Sequence, residues 1–328
     1  MSILEVKNLK VSFDSVMGKV NAVKGVSFSV NEGEILGIVG ESGSGKSVSS
    51  LAIMGLIDDR TGSIDSGEII FDGKNLLELS EKELCKFRGD RISMIFQEPM
   101  TSLNPVVTVF KQLKEVYKIH MAEKVKDCRE ELVELLSRLN IPDAEKILDK
   151  YPFELSGGLK QRIMIAMGMI CKPDIIIADE PTTALDVTTQ AEILDLLKEI
   201  KEENNSGIIL ITHDLGVIAE MAQRVAVMYF GNVVEECSVL EFFDNAKHPY
   251  SVDLLAAMPD NFDGRFRSIE GNVPNLYEKV EGCPYYKRCK IASEECLKKE
   301  PEMVEINKGH KVKCLKAKDL VREEVKNG

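Results

Sequence analysis

The apolar run Ile35-Leu-Gly-Ile-Val39 passes directly into Gly40-Glu-Ser-Gly-Ser-Gly-Lys-Ser47, and an apolar stretch of helical character follows from Val48 to Ile57. No other feature constrains the fold as tightly. In a loop of this spacing the glycines let the backbone curl. The N–H groups of Gly40, Ser42, Gly43, Ser44 and Gly45 then face an anion in front of a helix N-terminus. Lys46 adds a point charge between phosphates, and Ser47 offers a hydroxyl to Mg²⁺. A chance glycine-rich turn would lack the strand before it and the helix after it. The loop implies an α/β core that takes a nucleoside triphosphate, but it does not separate kinases, GTPases, helicases and transport ATPases.

The rest of the chain extends that core. Leu4–Phe13 and Ala22–Val30 alternate as strands, and Glu68–Phe71 and Ile92–Phe96 add two more. From about 106 to 160 the pattern is helical, with leucines on one face of Arg129–Asn140. Strand Ile175–Ala178, helix Thr188–Glu203, strand Ile208–Thr212, helix Leu215–Ala222 and strand Arg224–Tyr229 then alternate, which implies a three-layer α/β arrangement. Past about residue 245, Pro249, Pro259, Pro274 and Pro284 punctuate a tail in which the regular pattern dissolves. These readings divide the 328 residues into 1–244, with a helical subdomain at about 106–160, and an extension over 245–328.

Composition bears on partners. The net charge is −12, and it is uneven: −14 over the first 244 residues and +2 over the tail. A body this acidic lacks the basic footprint of a general nucleic-acid binder, so no nucleic-acid partner is expected. No apolar stretch nears the roughly 18 residues needed to cross a bilayer. The amino-terminal residues read as a strand and not as an export signal, so the cysteines are expected in a reducing compartment.

Two further motifs carry chemistry. Ile175-Ile-Ile-Ala-Asp-Glu180 is an apolar strand ending in paired carboxylates. Asp179 at the strand end can hold Mg²⁺ through its water, and Glu180 can polarise an attacking water. In Leu155-Ser-Gly-Gly-Leu-Lys-Gln-Arg162, Ser156 with Gly157 and Gly158 opens a helical run. As a bare structural signal it is a helix N-cap; as chemistry it is a second anion cradle. One nucleotide rarely needs two cradles from one chain, so the second suits a nucleotide held by another subunit.

The ordered set GESGSGKS, Gln97, LSGGLKQR, IIIADEP, Ala184-Leu185-Asp186 and His213 resembles the nucleotide-binding domain of ABC ATPases over residues 1 to about 240. The resemblance implies an α/β, P-loop (RecA-like) ABC ATPase fold with an antiparallel β subdomain and a helical insertion. It also implies head-to-tail dimers with two ATPs sandwiched between them. By the same resemblance Phe13 stacks on adenine, and Gln97 touches Mg²⁺ and the attacking water. Ser47, Gln97 and Asp179 are then the metal-facing set, His213 contacts the γ-phosphate, and Asp186 couples the two sites. Leu159 departs from the glutamine common in the family. Phe96-QEPMTSLN-Pro105, Lys247-HPYSVDL-Leu255 and Gly271-NV-Pro274 resemble the ATP-binding subunits of dipeptide/oligopeptide permeases and their nickel-importing relatives. That implies two membrane permease subunits, a homologous second ATPase chain (a heterodimer), an extracytoplasmic substrate-binding protein and a place on the cytoplasmic face of the membrane. Thr101 to about Tyr117 is the expected permease contact.

Cys283, Cys289, Cys296 and Cys314 put four thiols within 32 positions. Structural zinc sites usually include a tight C-x₂₋₄-C pair, which this set lacks; wider loops suit an iron–sulfur cluster at least as well. The permease resemblance implies a small Cys-rich metal-binding extension with a [4Fe-4S] cluster, zinc being the alternative. Cys85, Cys128, Cys171 and Cys237 fit no metal pattern and are expected in packing. An importer ATPase is therefore expected, against a second class, a soluble iron–sulfur ABC ATPase acting on ribosomes or nucleic acid.

Overall fold

Strands β1 (Ser2–Ser15) and β2 (Gly18–Asn31) open the chain, and β3 (Ile35–Val39) leads into the phosphate loop. β4 (Gly62–Phe71) and β5 (Lys74–Asn75) follow, then β6 (Ile92–Ile95), β7 (Ile175–Asp179), β8 (Gly207–Ile211), β9 (Arg224–Tyr229), β10 (Asn232–Ser238), β11 (Val304–Asn307) and β12 (His310–Val312). The structure is a computed structural model and describes residues 2–97, 102–183, 185–258, 269–278, 280–317 and 319–320. Ala184, residues 98–100 and Thr101, the first residue of the expected permease contact, lie outside the described residues.

The chain divides into two compact units: residues 31–34 with 78–209, and residues 2–30, 35–77 and 210 onward. In the second, β2-β1-β4-β5 form a four-stranded sheet in which β1 and β4 run antiparallel, with a bulge between Lys7 and Val11. Gly67 makes room for it, since a Cβ there would lie 2.7 Å from Leu9 Cα. The same unit holds β3 parallel to β9, with β10, β12 and β11 continuing antiparallel beyond it. β3 is buried along its whole length, as a parallel strand covered on both faces must be. The other unit holds β6 parallel to β7 together with the helices Val109–His120, Cys128–Arg138, Ala144–Leu148 and Gly157–Met169. Helix Val187–Asn204 turns Ile193, Leu196, Leu197 and Ile200 inward at helical spacing. The boundary between the units falls within β8.

Three local expectations are corrected. The helix after the phosphate loop is Lys46–Ile53, shorter than the apolar pattern to Ile57. Gly55 (φ 61) stops it: Leu56 N donates to Leu51 O and Gly55 N to Ala52 O, the left-handed closure that glycine allows. The tail is not irregular, because it supplies helix Pro249–Ala256 and strands β11 and β12. Cys85 is exposed, not packed, whereas Cys128 and Cys237 are buried. Among the described residues no helix is long and apolar enough to cross a membrane.

Candidate active site: a phosphate loop and a carboxylate turn

Gly40 has φ 150, and a Cβ on it would lie 2.1 Å from Met228 O; on Gly45 (φ 101) it would lie 2.7 Å from Ala22 O. No other residue fits either place without moving backbone. Lys46 is buried, and its Nζ donates to Gly40 O at 2.7 Å and Glu41 O at 3.2 Å, so the ammonium is held inside the loop. Ser44 Oγ is buried and has no hydrogen-bond partner among the described residues. A buried hydroxyl beside a lysine and a ring of glycine backbone fits an incoming phosphate oxygen. Ser42 and Gly43 are exposed on the loop, and Ser47 is half-buried at the start of its helix.

Phe13 and His213 belong to the same unit as the loop. Phe13 is half-buried on β1 opposite Gly62, where a Cβ would come 2.7 Å from its ring, so the ring lies over bare backbone. His213 is exposed in the turn after β8, next to Asp214, whose carboxylate accepts from Gly216 N and Val217 N at the head of the following helix.

The other unit brings the remaining candidates together. Asp179 is buried as the last residue of β7, and Glu180 follows with φ 48. A left-handed glutamate costs on the order of 1–3 kcal/mol and persists where surrounding contacts fix it. Here they do. Gln97 Nε2 donates to Glu180 Oε2 at 2.9 Å and Thr183 Oγ1 donates to the same oxygen at 2.8 Å. The Gln97 amide nitrogen faces the carboxylate, which leaves its carbonyl oxygen for a metal or water.

Ser156 caps helix Gly157–Met169, its Oγ accepting from Leu159 N at 3.4 Å. A Cβ on Gly158 would sit 3.2 Å from Thr189 Cγ2, whereas Gly157 faces open space. Thr189 also donates from N and Oγ1 to the Asp186 carboxylate, at 2.9 and 2.8 Å, which holds that carboxyl below its usual range. Asp186 is thus an N-cap as well as a candidate coupling residue. Gln161 Nε2 donates to Pro181 O at 2.6 Å in a buried contact. Gln161 thus ties the helix that the Ser-Gly-Gly segment opens to the carboxylate turn, and Gly158 lies against Thr189, which holds Asp186. Neither bridge was marked by the sequence, although Gln161 lay inside a motif already singled out.

The four tail thiols line one cavity of about 20 Å³. Burial raises the Cys283 thiol to about 11 and also raises Cys289 and Cys314. Around one zinc at about 2.3 Å, four sulfurs would sit about 3.8 Å apart. Among the described residues the only group of three or more potential metal ligands mutually within 4.8 Å is Glu235, Cys237 and His310.

The ABC transporter family matches residues 23–183, and the oligopeptide/dipeptide transporter C-terminal region matches residues 234–296. The dipeptide transport ATP-binding protein DppD of Haemophilus influenzae is 47% identical over 96% of this chain and 95% of its own length. The oligopeptide transport ATP-binding protein AppD of Bacillus subtilis is 45% identical over 95% and 96%. Among solved structures, the dimeric post-hydrolysis state of the ATP-binding cassette MJ0796 bound to ADP and Pi is 29% identical with a TM-score of 0.62, covering 72% of this chain and 98% of that one. A phosphate loop, a fixed carboxylate after β7 and full-length relatives agree, and the chain belongs to the ABC transporter ATPases that carry the oligopeptide/dipeptide transporter C-terminal region.

Proposed function

We propose that this chain is the ATP-hydrolysing subunit of an importer for dipeptides or oligopeptides. The observation that carries the reading is the Glu180 carboxylate, fixed by Gln97 and Thr183 in a left-handed turn at the end of a buried strand. ATP is held by the backbone of Gly40–Ser47 and by Lys46, with Phe13 against the base. Glu180 orients the attacking water and takes up its proton, and His213 contacts the γ-phosphate. Ser47, Gln97 and Asp179 are all oxygen donors, the set a hard Mg²⁺ ion favours. When bound, that ion neutralises charge on the β- and γ-phosphate oxygens. Ser156, Gly157 and Gly158 serve the ATP of a homologous second ATPase subunit, and Asp186 couples the two sites. The module boundaries proposed are 1–244 for the ATPase, with its helical subdomain at about 106–160, and 245–328 for the extension. Within the complex the chain sits on the cytoplasmic face of the membrane against two permease subunits, which an extracytoplasmic binding protein supplies with peptide.

Cys283, Cys289, Cys296 and Cys314 would hold a [4Fe-4S] cluster. The support is a shared cavity, together with a sequence spacing that lacks the tight cysteine pair usual in zinc sites. Hydrolysis of ATP moves no electron, so the cluster's role is structural or redox-sensing. Relatives aligned over 95% or more of this chain are transport proteins, which weighs against an ATPase acting on ribosomes or nucleic acid.

One preparation tests both parts. Tagged chain extracted anaerobically from membranes in detergent should bring down two permeases and a second ATPase, and should be brown with iron and sulfide in equal amounts. Recovery with ribosomes or DNA in place of permeases would overturn the importer. Colourless protein carrying one equivalent of zinc would overturn the cluster.

A further inference from the structure

Glu41, the second residue of the phosphate loop, poses a problem: a carboxylate beside a site for a triphosphate repels its ligand. Arg288 answers it. Its Nη1 donates to Glu41 Oε2 at 2.7 Å and its Nη2 to Glu41 Oε1 at 2.9 Å, a two-point pairing that fixes orientation as well as charge. The Arg288 side chain is only 3% exposed, against 28% for Glu41. Its Nε donates to Glu270 O at 3.0 Å and its Nη1 also reaches the Tyr229 hydroxyl at 3.3 Å. The guanidinium lies against the rings of Tyr229 and Tyr285, and Gly271 (φ 78) leaves room for its stem.

The backbone of the same glutamate is held too. Glu41 N donates to the hydroxyl of buried Tyr250 at 2.8 Å, while Glu41 O accepts from Ser44 N at 3.2 Å and Lys46 Nζ at 3.2 Å. Tyr250 packs on Tyr229 and Tyr285 with ring centroids 4.6 and 5.4 Å apart. Tyr250 and Arg288 both come from the segment matched by the transporter C-terminal region, far along the chain from the loop.

We propose that Arg288 and Tyr250 are positioning residues of the ATP site: the extension cancels the Glu41 charge and fixes the first turn of the phosphate loop. Neither residue touches the nucleotide; both act through Glu41. The reading predicts a specific pattern. Removing the cation alone leaves a carboxylate facing the triphosphate, so affinity falls. Removing the carboxylate as well relieves the repulsion, so affinity returns. A purely structural strut would show no such recovery.

The test titrates the full-length chain with a fluorescent N-methylanthraniloyl derivative of ATP and measures KM and kcat in the same preparations. Arg288→Met is expected to weaken binding about tenfold, with the loss in KM and not in kcat. Glu41→Gln combined with Arg288→Met is expected to recover most of it. Unchanged affinity in Arg288→Met, or a loss that Glu41→Gln fails to relieve, overturns the proposal. If Arg288→Met does not fold, Tyr250→Phe removes a single hydroxyl and is expected to weaken binding about threefold; affinity equal to that of the parent chain overturns the proposal there.

Discussion

The Glu180→Gln chain is expected to bind ATP normally and to hydrolyse it about a thousandfold more slowly, within the range that a positioned general base supplies. The amide keeps the size of the side chain and an acceptor for Thr183 Oγ1, but it cannot take up a proton from water. Its backbone demand is unchanged, because glutamine suits φ 48 no worse than glutamate does. The left-handed turn and the strand before it therefore survive, and the loss falls on the chemical step. Single-turnover hydrolysis in the assembled ATPase pair, with nucleotide affinity measured alongside, separates the two quantities. Turnover equal to that of the parent chain would remove Glu180 from the role given to it.

The second large effect is on stability. Glu235 on β10 is fully buried, and its carboxylate accepts from Lys247 N at 2.6 Å, His248 N at 3.0 Å and His310 Nε2 at 2.7 Å. One side chain thus ties β10 to the Lys247-His-Pro-Tyr turn and to β12. Burial meanwhile holds His248 neutral, lowering it to about 4, and its Nδ1 accepts from Tyr250 N at 3.1 Å. Glu235→Leu leaves two backbone N–H groups and a buried imidazole without their acceptor. At about 1–3 kcal/mol for each buried group left unsatisfied, the expected loss is about 4 kcal/mol. Urea unfolding measures it, and Glu235→Gln, which keeps one acceptor, is expected to lose less. A Glu235→Leu midpoint within error of the parent chain would show that the network contributes nothing.

The same residue shows why part of the fold was hidden in the sequence. β3, β7 and β8 were legible because strands buried along their whole length read as unbroken apolar runs. β10 reads Asn232-Val-Val-Glu-Glu-Cys-Ser238 and does not look buried, yet all but its last residue is. Its two glutamates are matched by partners on other strands: His310 for Glu235, and Arg224 with Lys311 for Glu236. The tail hid its strands for the same reason, since β11 and β12 are short, β12 taking its place from β10 and β11 from β12. At the site, residue types and spacing revealed the loop, Asp179, Glu180 and the Ser-Gly-Gly segment. The contacts that hold them were not legible. Thr183 and Gln161 act through single hydrogen bonds and Thr189 through two, and Arg288 reaches Glu41 across 247 positions.

The central claim is that ATP hydrolysis at this site drives peptide uptake, and uptake of a labelled dipeptide by cells lacking the parent chain tests it most directly. Restoring the parent chain should restore accumulation, and restoring the Glu180→Gln chain, made at equal level and docked on the same permeases, should not. Accumulation with Glu180→Gln equal to that with the parent chain, or no dependence on this chain at all, would contradict the claim.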